Sequence, residues 1–259
     1  MAAIRSSLLA LLLLAACGSG APEAVPAQEA PTAAACMQRA FEGTAFTVCR
    51  YDRRHDEVAL YLDGPRGPLR SFAALETAVG PRLQRLRFAM NGGMYDEEGR
   101  PIGLHVEDGR ERRAINRRRG PGNFHMLPNG VFTVAPDGRV AVVPSDRYRP
   151  ASRPRWATQS GPMLVVDGRL HPAIQDNGPS LHIRNGVGVD SEDTAWLVIS
   201  DEAVSFGRLA RFFRDSLNCR NALYLDGSVS SLWDRPGGRR DPRADLGPLI
   251  AVFEHERRE

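Results

Sequence analysis

Short apolar runs rich in Val, Ile, Leu, Phe and Tyr recur along the chain from residue 45 onward, and each is closed by a turn signal. They predict strands over residues 45–51, 57–62, 86–91, 103–107, 131–135, 140–143, 163–166, 195–200, 222–225 and 249–253. Asp-Gly pairs at 63–64, 108–109, 137–138 and 167–168 supply the turns between several of them. Only two stretches carry helical periodicity. One starts at Phe72 and stops at Gly80-Pro81; the other covers residues 205–217, with Phe206, Leu209, Ala210, Phe213 and Leu217 on one face. Many strands, few helices and no regular β-α alternation predict an α+β fold of mixed, largely antiparallel sheets with few flanking helices.

The pattern changes at the N-terminus. Arg5, an apolar run from Leu8 to Leu14 and the small residues Ala15 and Ala16 before Cys17 form a secretory h-region, too short for a transmembrane helix. Leu14-Ala15-Ala16-Cys17 looks like a bacterial lipobox, so residues 1–16 are read as a signal peptide and Cys17 as the lipidated first mature residue. An ordinary cleaved signal with a free periplasmic product is the alternative. Residues 18–35, rich in Ala, Pro, Gly and Glu, have too little apolar surface for a core and read as a tether, so one domain is expected over 36–259. The expected location is the periplasmic side of a bacterial membrane.

Of 259 residues, 34 are Lys or Arg and 31 are Asp or Glu, a formal charge of +3. That near-balance gives no case for nucleic acid, and the run Arg117-Arg118-Arg119 accompanies no recognition-helix or zinc-finger pattern. Every Lys/Arg position is in fact Arg, which removes Schiff-base chemistry and the Walker lysine from consideration. Cys36 and Cys49 flank the start of the domain, and an oxidising compartment favours their disulfide. Cys219 is then a buried free thiol, although its pairing with either of the two is an open alternative. No His or Cys spacing matches a metal site, no Gly-x-Ser-x-Gly elbow is present, and no metal or cofactor is expected.

Candidate chemistry gathers where strands run into polar, glycine-containing turns. Asn221-Ala222-Leu223-Tyr224-Leu225 leads into Asp226-Gly227-Ser228-Val229-Ser230-Ser231, which places one carboxylate and three hydroxyls at a strand end. The same grammar appears in Met90-Asn91-Gly92-Gly93-Met94-Tyr95 and in Arg184-Asn185-Gly186-Val187-Gly188. Thr158-Gln159-Ser160-Gly161-Pro162 reads as a polar loop entering a strand. Asn116 and the segment Gly122-Asn123-Phe124-His125 mark a long polar connection of the ligand-contacting kind. Each of these is, alone, also an ordinary turn signal. Four of them around one carboxylate exceed what turns require.

Taken together, Met90 to Tyr95, Gly161-Pro162-Met163-Leu164, Arg184 to Gly188 and Tyr224 to Ser231 resemble the phosphodiester glycosidases. These are bacterial relatives of the catalytic domain of the animal uncovering enzyme, which removes N-acetylglucosamine from a mannose-phosphate diester. The animal pattern is richer in glycine after the Asp, so Ser228 and Val229 are departures that bear on the sugar recognised. The resemblance implies a hydrolase acting on a glycosyl phosphodiester or an envelope glycan.

For such a reaction the phosphomonoester leaves readily, and the site needs a carboxylate base or nucleophile more than a strong acid. Asp226 is the candidate, with Glu202 as second carboxylate or, equally, as a charge favouring the helix that follows. Arg184 is expected to neutralise the phosphodiester, with the amides of Gly92 and Gly93 close to the same anion and Gly227 letting N–H groups approach the ligand. Asn91, Gln159, Ser230 and Ser231 are expected to read sugar hydroxyls, and Asn116, His125, Ser160 and Asn185 are further substrate-binding candidates. A carbohydrate-binding lipoprotein that kept the cleft and lost the reaction is the alternative.

Overall fold

A computed structural model describes residues 34–150, 153–242 and 245–256. The signal peptide, Cys17 and all but the last two residues of the tether lie outside the described residues. Among the described residues there are three large sheets and a two-stranded ribbon of Asp63–Gly64 with Gly67–Pro68. A seven-stranded sheet takes the strands in the order Cys36–Phe41, Thr44–Asp52, Thr194–Ser200, Asn185–Ser191, Asn221–Tyr224, Met163–Val166 and Arg169–Leu170. A five-stranded sheet runs Val140–Pro144, Gly130–Val134, Trp156–Ser160, His105–Glu107 and Arg110–Arg113. A second runs Arg239–Arg240, Leu232–Asp234, Leu86–Asn91, Leu249–Glu254 and Asp56–Tyr61. Among the described residues every strand pairing is antiparallel.

Side-chain alternation along the seven-stranded sheet feeds two cores. Val187, Leu197, Ile199 and Leu223 face a large cluster with Phe88, Met90, Ile250 and Val252. Val198, Ala222 and Tyr224 face the opposite way, onto Leu209, Phe212 and Phe213. Full burial of each such aliphatic or aromatic side chain stabilises by about 1.5–3 kcal/mol, so the sheet is held from both sides. The disulfide Cys36–Cys49 clamps the first strand to the second, and Cys219 is a buried free thiol whose ionisation burial strongly opposes.

The helices are short and conventionally capped. Ser71 Oγ accepts from Ala74 N–H at 3.1 Å to start Phe72–Val79, and Ser205 Oγ accepts from Arg208 N–H at 3.2 Å to start Phe206–Arg211. The helix expected over 205–217 is α-helical only to Arg211 and continues as a π-helical turn over Phe212–Ser216. That wider turn belongs to the segment that lays Phe212 and Phe213 on the sheet, with Phe46 stacked on Phe212 at 4.1 Å. No helix among the described residues is long and apolar enough to cross a membrane.

Two segments read as turns or loops are strands. Asn185–Ser191 pairs on both sides, and Trp156–Ser160 lies between two partners in its sheet. The glycines that disguised the first are required by packing: a Cβ at Gly186 would lie 2.8 Å from Leu223 O, and one at Gly188 2.6 Å from Phe213 Cδ1. The polar residues of the second are all buried, and the side chains of Thr158 and Gln159 are bonded within the protein.

Candidate functional site

Register places the polar segments together. Pairing of Asn185 with Ile199, Gly186 with Tyr224 and Met163 with Leu223 brings Arg184, Ser200, Asp226 and Pro162 to one end of the seven-stranded sheet. In the sheet containing Leu86–Asn91, Asn91 pairs with Leu249 and Met90 with Leu232, so Asn91, Ser231 and Pro248 share an end. Hydrogen bonds then join the two ends. Asn91 Nδ2 donates to Asp226 O at 2.7 Å, Asp226 N–H to Gly92 O at 3.1 Å, and Asn185 Nδ2 to Asn91 Oδ1 at 2.8 Å. Asn91 Oδ1 also accepts from Ser231 N–H at 2.9 Å. Ser230 Oγ lies 3.1 Å from both Gly227 O and Ile183 O and 3.3 Å from Asn185 Oδ1. The side chains of Asn91, Asn185 and Ser230, with backbone groups of Asp226 and Ser231, form one buried polar cluster around the Asp226 turn.

Asp226 caps the 3₁₀ turn Gly227–Val229, its Oδ1 accepting from Ser228 N–H at 3.2 Å. The residue is 9% exposed. Burial raises the carboxyl pKa above its ordinary value, and the Ser228 N–H opposes this only in part. No cation forms an ion pair with it among the described residues.

Arg184 is 1% exposed. Its Nε donates to Val204 O at 2.9 Å, Nη1 to Tyr224 Oη at 3.1 Å, and Nη2 to Ser180 O and Oγ at 2.9 and 3.0 Å. The guanidinium stacks on Phe206, with Cζ 3.7 Å from the ring centroid. No carboxylate among the described residues lies within ion-pair distance of it. Burial pulls its pKa down from a value so high that the group stays charged, and Tyr224 counteracts the pull. A buried cation without an acid partner is costly unless an anion arrives to balance it.

Tyr224 links this cation to the carboxylate. It is the last residue of the strand Asn221–Tyr224 and precedes Asp226 by two residues. Its hydroxyl accepts from Arg184, is bonded by the Gly227 amide, and feels the Asp226 charge. In the sequence Tyr224 stands out only as part of a motif, and its two-residue spacing from the acid is the signal that marks it. Thr158 was likewise missed as a site residue, and its Oγ1 accepts from Gly93 N–H at 3.2 Å. Tyr95 borders the same corner, where the Asp226 charge adds to burial in raising its pKa.

Several expected ligand contacts are engaged inside the protein instead. Gly92 N–H donates to Pro248 O at 2.7 Å and Gly93 N–H to Thr158 Oγ1, so neither amide faces an anion. A Cβ at Gly93 would sit 2.3 Å from Gln159 O, so this glycine is explained by close strand packing. Gln159 Oε1 accepts from Leu104 and Asn116 N–H groups, and Nε2 donates to Asn116 O and Asn129 Oδ1. It pins the 102–116 connection rather than presenting its amide. Asn116 Nδ2 donates to Ile102 O, and His125 Nδ1 donates to Arg118 O. Ser160 Oγ is buried without a partner among the described residues. Glu202 is exposed, two residues beyond the strand Thr194–Ser200, whereas neighbouring Asp201 pairs with Arg239 at 2.7 Å.

The surface clefts bordered by Asp63, Glu98 and Arg113, and by Thr133, Arg139 and Glu192, are not lined by Asp226. The buried cluster holds what these clefts lack, a buried guanidinium without a carboxylate partner among the described residues and a desolvated carboxylate. Among the described residues no group of three or more His, Cys, Asp or Glu is placed to hold a metal ion.

This antiparallel α+β scaffold, with its acid and cation at converging strand ends, is a hydrolase-like fold. The family model for phosphodiester glycosidase matches residues 84–252, well over half of the chain. The chain belongs to the phosphodiester glycosidase family. It is 40% identical to the Escherichia coli (strain K12) protein YigE over 168 residues, which span 65% of this chain and 66% of that relative. The catalytic domain of zebrafish N-acetylglucosamine-1-phosphodiester alpha-N-acetylglucosaminidase, solved in a form auto-inhibited by its pro-peptide, shares the fold. Its TM-score is 0.57 at 18% identity, over 86% of this chain and 82% of that one. A putative exported protein from Burkholderia pseudomallei K96243 gives the same TM-score at 13% identity, over 81% and 74% of the two chains.

Proposed function

We propose that the protein hydrolyses the sugar C1–O bond of a glycosyl phosphodiester in the cell envelope. The observation that carries this reading is that one end of the seven-stranded sheet holds both a buried guanidinium, Arg184, with no acid partner among the described residues, and a buried carboxylate, Asp226, two residues beyond the tyrosine that Arg184 bonds. The phosphodiester supplies the missing anion for Arg184. Asp226, ionised, acts at C1 as base towards water or as nucleophile. The C1–O bond breaks with its electron pair on the phosphate oxygen, and water supplies the new C1–OH. Asn91, Asn185, Ser230 and Ser231 act by holding the Asp226 turn. Glu202 is the proposed second carboxylate, exposed at the same end of the seven-stranded sheet.

The test is bond cleavage in ¹⁸O-water with methyl diesters of sugar 1-phosphates. The expected result is turnover that releases an unlabelled phosphomonoester, because water attacks carbon. Label in the phosphate would mean P–O cleavage and would remove the proposed reaction; tight binding with no turnover would favour a carbohydrate-binding protein.

The lipobox-like Leu14-Ala15-Ala16-Cys17 supports export and anchoring through acyl chains on Cys17. Palmitate labelling of the full chain is expected, with complete loss in Cys17→Ser. Equal labelling of the two would exclude Cys17 as the anchor.

A further inference from the structure

We infer that the aglycone of the substrate is a lipid-like chain, an alkyl or isoprenoid group esterified to the glycosyl phosphate, and that Leu181 and Ile183 receive it. This inference rests on the proposed phosphodiester reaction and names the substrate class of the same site.

Large apolar side chains are rarely left outside on the described surface. Leu181 is 56% exposed and Ile183 42%, and the other exposed one, Met37, is far away in sequence on the first strand. The pair flanks the cation: Leu181 follows Ser180, which accepts from Arg184 Nη2, and Ile183 immediately precedes Arg184. Ile183 O lies 3.1 Å from Ser230 Oγ, which is also within 3.1 Å of Gly227 O, so Ile183 is one hydroxyl away from the Asp226 turn.

The connecting backbone is fastened on both sides. His182 exchanges N–H···O bonds with Val204 at 3.2 and 2.8 Å, and Ser180 is tied to Arg184. A loop held this firmly yet turning two branched aliphatic side chains to water is built to meet an apolar group. Its neighbour is a buried cation lacking an acid partner among the described residues. An anion with an apolar chain attached complements both features at once: the phosphate answers Arg184 and the chain covers Leu181 and Ile183. A sugar or a second polar group as aglycone would leave the pair in water.

The experiment compares kcat/KM for the methyl and decyl diesters of N-acetylglucosamine 1-phosphate and glucose 1-phosphate, at concentrations below micelle formation. In the wild type the decyl ester is expected to be favoured by about tenfold or more, the gain from seating two or three methylenes. In Leu181→Ser/Ile183→Ser the decyl-to-methyl ratio is expected to fall towards one, while Met37→Ser keeps the wild-type ratio. Turnover of both esters at equal rates in the wild type overturns the lipid aglycone and leaves the proposed C1–O cleavage intact. Turnover of neither ester overturns that reading and the inference with it. If the double variant instead loses binding to phosphatidylcholine vesicles while the wild-type ratio is near one, the pair belongs to a membrane contact and the inference is overturned.

Discussion

Asp226→Asn is expected to lower kcat/KM by about 10³-fold or more while leaving the fold intact and raising its stability at neutral pH. The two effects share a cause. The Asp226 carboxyl is buried without an ion-pair partner among the described residues, and burial raises its pKa. In the folded state it therefore holds its proton to higher pH than in the unfolded chain. Stability associated with the protonated form is complete below the unfolded carboxylate pKa of about 3.9 and is lost as pH rises through the higher folded value. An amide carries no such cost, and its oxygen still accepts from Ser228 N–H.

The advantage of Asp226→Asn in thermal unfolding should thus be absent near pH 3 and grow towards pH 7. Activity has the opposite requirement: the carboxylate must be ionised, so the acidic limb of kcat/KM should lie above the ordinary carboxylate range. Wild-type turnover by the variant would remove Asp226 from the mechanism. A stability difference independent of pH would remove the desolvated carboxylate.

Much of this architecture is written in local pattern, and the parts that are not have particular reasons. Strands such as Leu86–Asn91 and Leu249–Glu254 read clearly because their side chains are apolar and buried in the large core. Asn185–Ser191 did not, since Gly186 and Gly188 lower strand propensity and leave the space that Phe213 occupies against the sheet. Trp156–Ser160 was hidden by Thr158, Gln159 and Ser160, polar residues at buried positions, the first two with bonding partners far away in sequence. Helical spacing over 205–217 could not distinguish an α-helix from one that widens at Phe212, because both keep the same apolar residues inward.

The site divides in the same way. Asp226, Arg184, Asn91 and Asn185 were identifiable from residue type at strand ends, and register brings them together. Which of these side chains a ligand meets was not identifiable, because that depends on hydrogen bonds between segments up to 140 residues apart, such as Ser231 N–H to Asn91 Oδ1. Gly92 and Gly93 resemble an anion cradle in sequence; in three dimensions their amides are occupied by Pro248 and Thr158.

Gly227→Ala should be nearly as damaging as loss of the acid, for a reason of space alone. Gly227 is not among the residues with positive φ, so its backbone is open to alanine. Yet a Cβ there would fall 1.7 Å from the Tyr224 hydroxyl oxygen, 2.4 Å from Cζ and 2.8 Å from Cε2. Tyr224 has little room to retreat: it is 3% exposed, takes a hydrogen bond from Arg184 and packs edge-on against Phe206 at 4.7 Å. Either the ring leaves Arg184 or the turn moves, and the turn carries Asp226, whose backbone is tied to Gly92 and Asn91. Overpacking of this kind costs about 1–3 kcal/mol, and a displacement near 1 Å at the reacting group costs about 10²-fold in rate. Tyr224→Phe removes the closest of the three contacts, so Gly227→Ala/Tyr224→Phe should regain part of the lost stability in a double-mutant cycle. It should not regain activity, because the phenylalanine no longer accepts from Arg184 and the cation is left with one bond fewer beside the carboxylate. Full recovery of rate in the double variant would show that the tyrosine hydroxyl serves packing only; wild-type stability and rate in Gly227→Ala alone would show that the turn and the ring are not in the contact described.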